Sequence, residues 1–121
     1  IYTLSLHDAL PIYELRKRSV VVSELSDEER DELVRAKPQY GNIVCRCETI
    51  SEGEIVAAIH DVCGARSVKG VKKRVRPGMG KCQGGFCEPK VVEILARELN
   101  RSPLEIVLDG RNSQILKKEN R

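Results

Sequence analysis

The stretch GMGKCQGGFC, residues 78–87, and the shorter stretch IVCRC, residues 43–47, are the most informative parts of the sequence. Between them they carry four cysteines, arranged as two tight pairs: Cys45 with Cys47, and Cys82 with Cys87. Two cysteine pairs that lie far apart in sequence are typical of a single site with four thiolate ligands, because each pair supplies half of the ligands. The sequence therefore predicts a metal centre that joins two segments of the chain.

The composition fits one small soluble domain that needs such a centre. The 121 residues are 40% hydrophobic but only 3% aromatic, and the formal net charge is +3. A domain of this size with so little large apolar surface is often held together by something besides its core. The five cysteines are an odd number and too sparse for a disulfide scaffold, which favours metal. No apolar run approaches the roughly 20 residues of a membrane-spanning helix, so we expect no transmembrane segment.

Helix start signals divide the chain into short helices. Ser26 and Ser51 each begin a Ser-x-x-Glu capping box, which predicts one helix that ends before Pro38 and a second over residues 52–62. The apolar face of the second helix is expected to include Val62.

Three further helices are predicted after Gly64. Valines at 68, 71 and 75 recur at helical spacing in a strongly basic segment that must stop near Pro77. Pro89 suits the first turn of a fourth helix, and Ser102 starts a fifth that runs to about Leu108. No long period-two alternation indicates a sheet between residues 41 and 110. The expected fold class is all-α, a small cluster of short helices of helix-turn-helix type around the metal site.

The chain divides into four expected segments. Residues 1–12 resemble the translated read-through of a sequencing adapter, so we set them aside and give their His7 no weight as a ligand. Residues 13–38 are a linker with the first capped helix, 39–110 are the cysteine-bearing domain, and 111–121 are a frayed tail. Because the sequence begins with an isoleucine and has no signal region, we expect it to be a fragment of a longer protein.

The residues around the cysteines favour an anionic cofactor. Arg46 lies between the first two cysteines, and the segment from Gly64 to Cys87 contains no acidic residue but seven basic ones: Arg66, Lys69, Lys72, Lys73, Arg74, Arg76 and Lys81. A [2Fe-2S] cluster held by four thiolates carries a net negative charge that grows on reduction, so nearby cations stabilise it. The glycines at 78, 80, 84 and 85 allow backbone amides to approach the cluster closely.

Several alternatives remain open from the residues alone. A closed zinc site would use the same four thiolates, although a one-residue gap such as Cys45-x-Cys47 is unusual in zinc knuckles. Disulfides within each pair are a second alternative, and nucleic-acid binding by the basic segment a third, weakened by the absence of interleaved aromatic residues. Cys63 lies outside both pairs and is expected to be an inert packed or exposed residue, and His60 a surface or hydrogen-bonded residue.

The two cysteine stretches with their flanks, YGNIVCRCET at 40–49 and GMGKCQGGFC at 78–87, resemble the bacterioferritin-associated-ferredoxin-like (BFD-like) [2Fe-2S] domain. The most similar version is the one at the C-terminus of FAD-dependent glycerol-3-phosphate dehydrogenases and related FAD/NAD(P)-binding oxidoreductases. The resemblance covers about residues 25–116. The four-residue gap between Cys82 and Cys87 is longer than in the stand-alone ferredoxin and resembles the dehydrogenase-fused version.

This resemblance implies a small all-helical domain with Cys45, Cys47, Cys82 and Cys87 as cluster ligands. It also implies a role as a one-electron relay beside a flavin domain, with FAD bound in a domain upstream of this segment. The fragment is expected to catalyse nothing alone, and its partners are expected to be that flavin domain and another redox subunit or acceptor, not nucleic acid. The expected location is the cytoplasm, or the membrane surface through partner subunits. The remaining hypotheses are a zinc- or cluster-stapled interaction module and a stand-alone ferredoxin-like carrier.

Overall fold

A computed structural model describes residues 19–118 of the chain. It contains four α-helices, two short strands and three 3-10 turns. In chain order the helices and strands are α1 (Asp27–Ala36), β1 (Ile43–Cys45), β2 (Ile50–Ser51), α2 (Glu52–Ile59), α3 (Val68–Val75) and α4 (Glu88–Glu98). The 3-10 turns are Val22–Glu24, Pro38–Gly41 and Pro103–Glu105. The expected adapter-derived segment, residues 1–12, lies outside the described residues.

The fold is mostly helical, but the all-α expectation is wrong in one detail, because β1 and β2 form an antiparallel pair. Ile43 is paired with Ser51 and Cys45 with Ile50, with an irregularity in β1 between the two pairs. The turn between the strands passes through Thr49, whose φ is +54°. Strands of three and two residues are too short to show a period-two alternation, so the sequence pattern carried no sign of them.

Both predicted capping boxes are present and start α1 and α2. The Ser26 hydroxyl accepts a hydrogen bond from the Glu29 amide at 3.3 Å, and the Glu29 carboxylate accepts one from the Ser26 amide at 3.0 Å. Ser51 and Glu54 form the same reciprocal pair. These contacts satisfy amides that the first turn of a helix leaves unpaired, which explains why both helices begin where the sequence indicated.

The second helix ends earlier than predicted. It stops at Ile59 instead of residue 62, and the Val62 side chain is 98% exposed. The chain reverses at Gly64, where an added side-chain carbon would lie 2.0 Å from the Ile59 carbonyl oxygen, and the Ala65 amide then donates to the Ala58 carbonyl. This tight reversal removes Val62 from the apolar face to which helical spacing assigned it.

The core lies between α2, α3 and α4. Its most buried large side chains include Ile55 and Ile59 of α2, Val71 of α3 and Leu95 of α4. The apolar face predicted for the third helix is therefore confirmed, since Val68 and Val71 are buried and Val75 packs against the core. Burying such side chains stabilises the fold by about 1.5–3 kcal/mol each, before conformational entropy is subtracted. The two cysteine segments lie at the edge of this core, the first at the end of β1 and the second at the amino end of α4.

The predicted fifth helix is wrong, because only the turn Pro103–Glu105 forms. The chain then becomes extended, which buries Ile106 and allows Val107 to bridge to Gln114. The start of the segment expected to be a frayed tail therefore packs back on the domain, and Ile115 contacts the core. Within residues 19–118, no helix has the length and apolar character needed to cross a membrane.

Candidate metal centre

The fold brings all four predicted cysteine ligands to one groove. Cys45 ends β1, and Cys47 follows in the turn between the strands. Cys82 lies in the glycine-rich loop, residues 78–86, and Cys87 is the N-cap residue of α4. All four line a groove of about 850 Å³. The other lining residues are Asn42, Ile43, Val44, Arg46, Lys81, Phe86 and Lys90.

In space the cysteines pair differently from their order in sequence. The Cys47 and Cys82 Sγ atoms lie 3.5 Å apart, and Cys45 lies close enough to Cys87 to raise the pKa of the Cys87 thiol. Each of these two pairs takes one member from each cysteine segment, so a group bound by all four would tie the β1–β2 hairpin to the glycine-rich loop and to the start of α4. All five cysteines are free thiols, so the structure contains neither of the disulfides considered as an alternative. Among the residues that the structure describes, no three His, Cys, Asp or Glu side chains converge closely enough to hold one metal ion.

The two spatial pairs lie in different environments. The pKa of Cys82 is lowered by its hydrogen bond with Cys47 and by backbone amides, of which Gly84 gives the largest effect. The pKa of Cys87 is raised to about 11, first by burial and then by the neighbouring Cys45. Because metals bind thiolates, loading the site must displace the proton of Cys87.

Gly80 sets the distance between the glycine-rich loop and the hairpin. A side-chain carbon added there would lie 2.1 Å from the Cys47 Cβ atom and 3.1 Å from its Sγ atom. The loop backbone therefore packs directly against the Cys47 side chain, in a space that only glycine leaves open. The close approach seen here is to the Cys47 side chain, and the approach of backbone amides to a cluster stays a prediction.

The groove fits a negatively charged iron–sulfur group. Its donors are four sulfur atoms, the four that a [2Fe-2S] cluster requires, and nearby backbone amides lower the pKa of Cys82. Three cations line it, Arg46, Lys81 and Lys90, and its lining within residues 19–118 includes no Asp or Glu. Such a surround offsets the charge of an anionic cluster.

Only some of the basic residues predicted to surround the site line the groove. Arg46 and Lys81 line the groove as expected, but Arg74 instead donates to the Cys63 carbonyl at 2.6 Å. Lys90 was missed by the sequence reasoning. Its position three residues after Cys87 in a predicted helix was the available signal, because residues at that spacing share a helix face.

The two residues expected to lie outside the centre do so. Cys63 is exposed and does not line the groove. His60 makes a surface hydrogen bond to Glu98, with 2.6 Å between the Nε2 and Oε2 atoms.

Comparison with known proteins identifies a family for the region around the groove. Residues 43–97 match the family model described as BFD-like [2Fe-2S] binding domain. The glycerol 3-phosphate dehydrogenase of Caloramator mitchellensis is 59% identical over 93 residues, which are 77% of this chain and 19% of that protein.

Two other relatives are more distant. One is a subunit of the anaerobic glycerol-3-phosphate dehydrogenase of Escherichia coli K12, which is 34% identical over 48% of this chain and 10% of its own length. The other is a subunit of the opine oxidase of Agrobacterium tumefaciens, which is 42% identical over 53% of this chain and 12% of its own length. No solved structure matches the chain significantly.

The chain thus spans about a fifth or less of the length of these relatives. The family match lies inside the predicted cysteine-bearing domain and contains both cysteine segments. Residues 43–97 form a BFD-like [2Fe-2S] binding domain.

Proposed function

We propose that this chain is an electron-transfer domain in which Cys45, Cys47, Cys82 and Cys87 hold a [2Fe-2S] cluster. The observation that carries the proposal is that these four cysteines and three cations, all within the matched region, line one groove. When bound, such a cluster accepts and releases single electrons.

The surrounding residues have separate roles in this proposal. The backbone amides of residues 84–86 lower the pKa of Cys82, which favours its thiolate form and stabilises added negative charge. Burial of Cys45 and Cys87 excludes water from one side of the site. Arg46, Lys81 and Lys90 supply the positive field that an added electron requires.

The proposal extends to a flavin enzyme. The relatives named as dehydrogenases and oxidases are at least about five times longer than the matched segment, so other domains carry their chemistry. We propose that an upstream domain binds FAD and removes two electrons from a substrate, and that this domain passes them singly to an acceptor protein or subunit. Glycerol 3-phosphate is the proposed substrate, supported by the name of the 59% identical relative. We further propose a cytoplasmic location, with any membrane association made through partner subunits.

The test is a redox titration of the full chain, purified and handled without oxygen. We expect one electron per chain, followed as bleaching of the visible absorption, and a reduced form with a paramagnetic resonance signal of about one spin. A chain that binds metal and folds but shows no redox change would instead be the zinc-stapled structural module.

A further inference from the structure

The candidate ligands divide into an exposed pair and a buried pair. Cys47 is exposed and Cys82 partly exposed, whereas Cys45 and Cys87 retain only 1% and 2% of their accessible surface. The rate of electron transfer between proteins falls steeply as the distance between donor and acceptor grows. A partner therefore comes nearest to the site on the side of Cys47 and Cys82.

That side has the charge pattern of a contact surface. We call Arg46, Lys81 and Lys90 the cationic rim, since all three line the groove of the four cysteines. Within residues 19–118 neither Arg46 nor Lys81 forms an ion pair. Lys90 has only a small electrostatic effect on Glu52, whose pKa it lowers slightly. The rim's charge is thus largely available to a molecule that approaches.

An exposed aromatic side chain lies on the same groove. Phe86 is 87% exposed, although its neighbour Cys87 is buried. A single exposed apolar residue is common on protein surfaces, but an aromatic side chain flanked by cations is the composition of many protein contact sites. Phe86 offers apolar contact area in a place where the fold itself does not use it.

We infer that the cationic rim docks a carboxylate-rich surface of a one-electron redox protein, which exchanges electrons with the site past Cys47 and Cys82. The inference rests on the proposed function, since it specifies where and with what kind of partner the electron is exchanged. Opposite charges on the two surfaces would speed encounter and orient the partner.

The basic helix α3 offers a competing surface that fits less well. Lys72 and Lys73 line a second groove that also reaches Cys87. That groove includes two carboxylates, Glu88 and Asp109, and the latter pairs with Lys69 at 3.0 Å. The positive charge there is partly neutralised, and the nearest cysteine is a buried one.

The experiment measures how fast the reduced full chain is oxidised by small complexes of opposite charge. The probes are tris(oxalato)cobaltate(III), an anion, and hexaamminecobalt(III), a cation. Each takes one electron from the reduced chain and becomes a cobalt(II) complex. The variants are the double substitution Lys81→Gln with Lys90→Gln, and the matched control Lys72→Gln with Lys73→Gln, which removes the same charge.

At low salt we expect the rim variant to react with the anion at least about threefold more slowly than the unmodified chain, and faster with the cation. The control variant should stay within a factor of about 1.5 for both probes, because its charges lie on the other groove. Poly-L-glutamate, which stands in for a carboxylate-rich protein, should slow the anion's reaction with the unmodified chain but not with the rim variant. High salt should remove these differences.

Two results separate this inference from the proposed function. The first is a chain that contains iron and sulfide and is reduced by dithionite, but whose oxidation rate is unchanged in the rim variant or changes more in the control variant. This result overturns the docking site alone. A chain with no reducible group overturns the proposed function and the docking site with it.

Discussion

Replacing Gly80 by alanine is expected to empty the metal centre while leaving the rest of the fold in place. The added methyl group would lie 2.1 Å from the Cys47 Cβ atom, whereas ordinary contacts begin at 3.4 Å. Loop and hairpin must therefore move apart by about 1.3 Å, the difference between the two distances. Metal–thiolate bonds tolerate displacements of only about 0.2 Å, so Cys47 would leave bonding distance.

The cost to the metal-free fold is expected to be smaller. Overpacking in a protein core typically costs about 1–3 kcal/mol, and exposed Cys47 lies at the surface, where its turn can shift. The Gly80 backbone is not in the left-handed region, so alanine is sterically allowed there apart from this contact.

The assay is iron and acid-labile sulfide per chain after purification without oxygen, with circular dichroism of the metal-free chain as the folding control. Gly80→Ala should retain less than about half of the iron of the unmodified chain, with an unchanged helical spectrum. Gly110→Ala is the matched control, because a side-chain carbon there meets nothing within 4 Å. Full iron content and an unchanged visible spectrum in Gly80→Ala would refute the close packing of the loop on Cys47.

Three other perturbations follow from the same structure. Cys87→Ser should abolish cluster binding and Cys63→Ser should leave it intact, since only the former lines the groove, and visible absorption distinguishes the two. Glu54→Ala should lower the free energy of unfolding by about 3 kcal/mol in urea titrations, because its buried carboxylate accepts three hydrogen bonds; a loss below about 1 kcal/mol would argue against this buried network. Hydrogen bonding from Asn42, reinforced by a neighbouring guanidinium, lowers the pKa of Glu52 below its ordinary value of 4.5. Because the pKa of Glu52 is lower in the folded than in the unfolded chain, this residue stabilises the fold above pH 4.5. That stabilisation is lost as the pH falls through the lower folded pKa. Urea midpoints of the metal-free chain, measured from pH 6 downwards, should show that decline, and Glu52→Gln should reduce it.

The sequence alone predicts those features that depend on contacts between residues close together in the chain. Capping at Ser26 and Ser51 depends on contacts three residues apart, so both helix starts were predictable. The four cysteines could be singled out because thiol spacing is itself the signal of a metal centre.

Features that depend on distant parts of the chain were not predictable. The pairing of Cys47 with Cys82 requires the β1–β2 turn and the glycine-rich loop to meet, and no local pattern encodes that contact. The extended chain at Ile106 replaced a helix with good start signals because burying this side chain in the core outweighed local preference.

The central claim is that four cysteines of this chain hold a [2Fe-2S] cluster, and the most direct test is the content of iron, acid-labile sulfide and zinc per full chain purified without oxygen. The account predicts about two iron atoms, about two sulfides and no stoichiometric zinc. About one zinc per chain with no sulfide would contradict it.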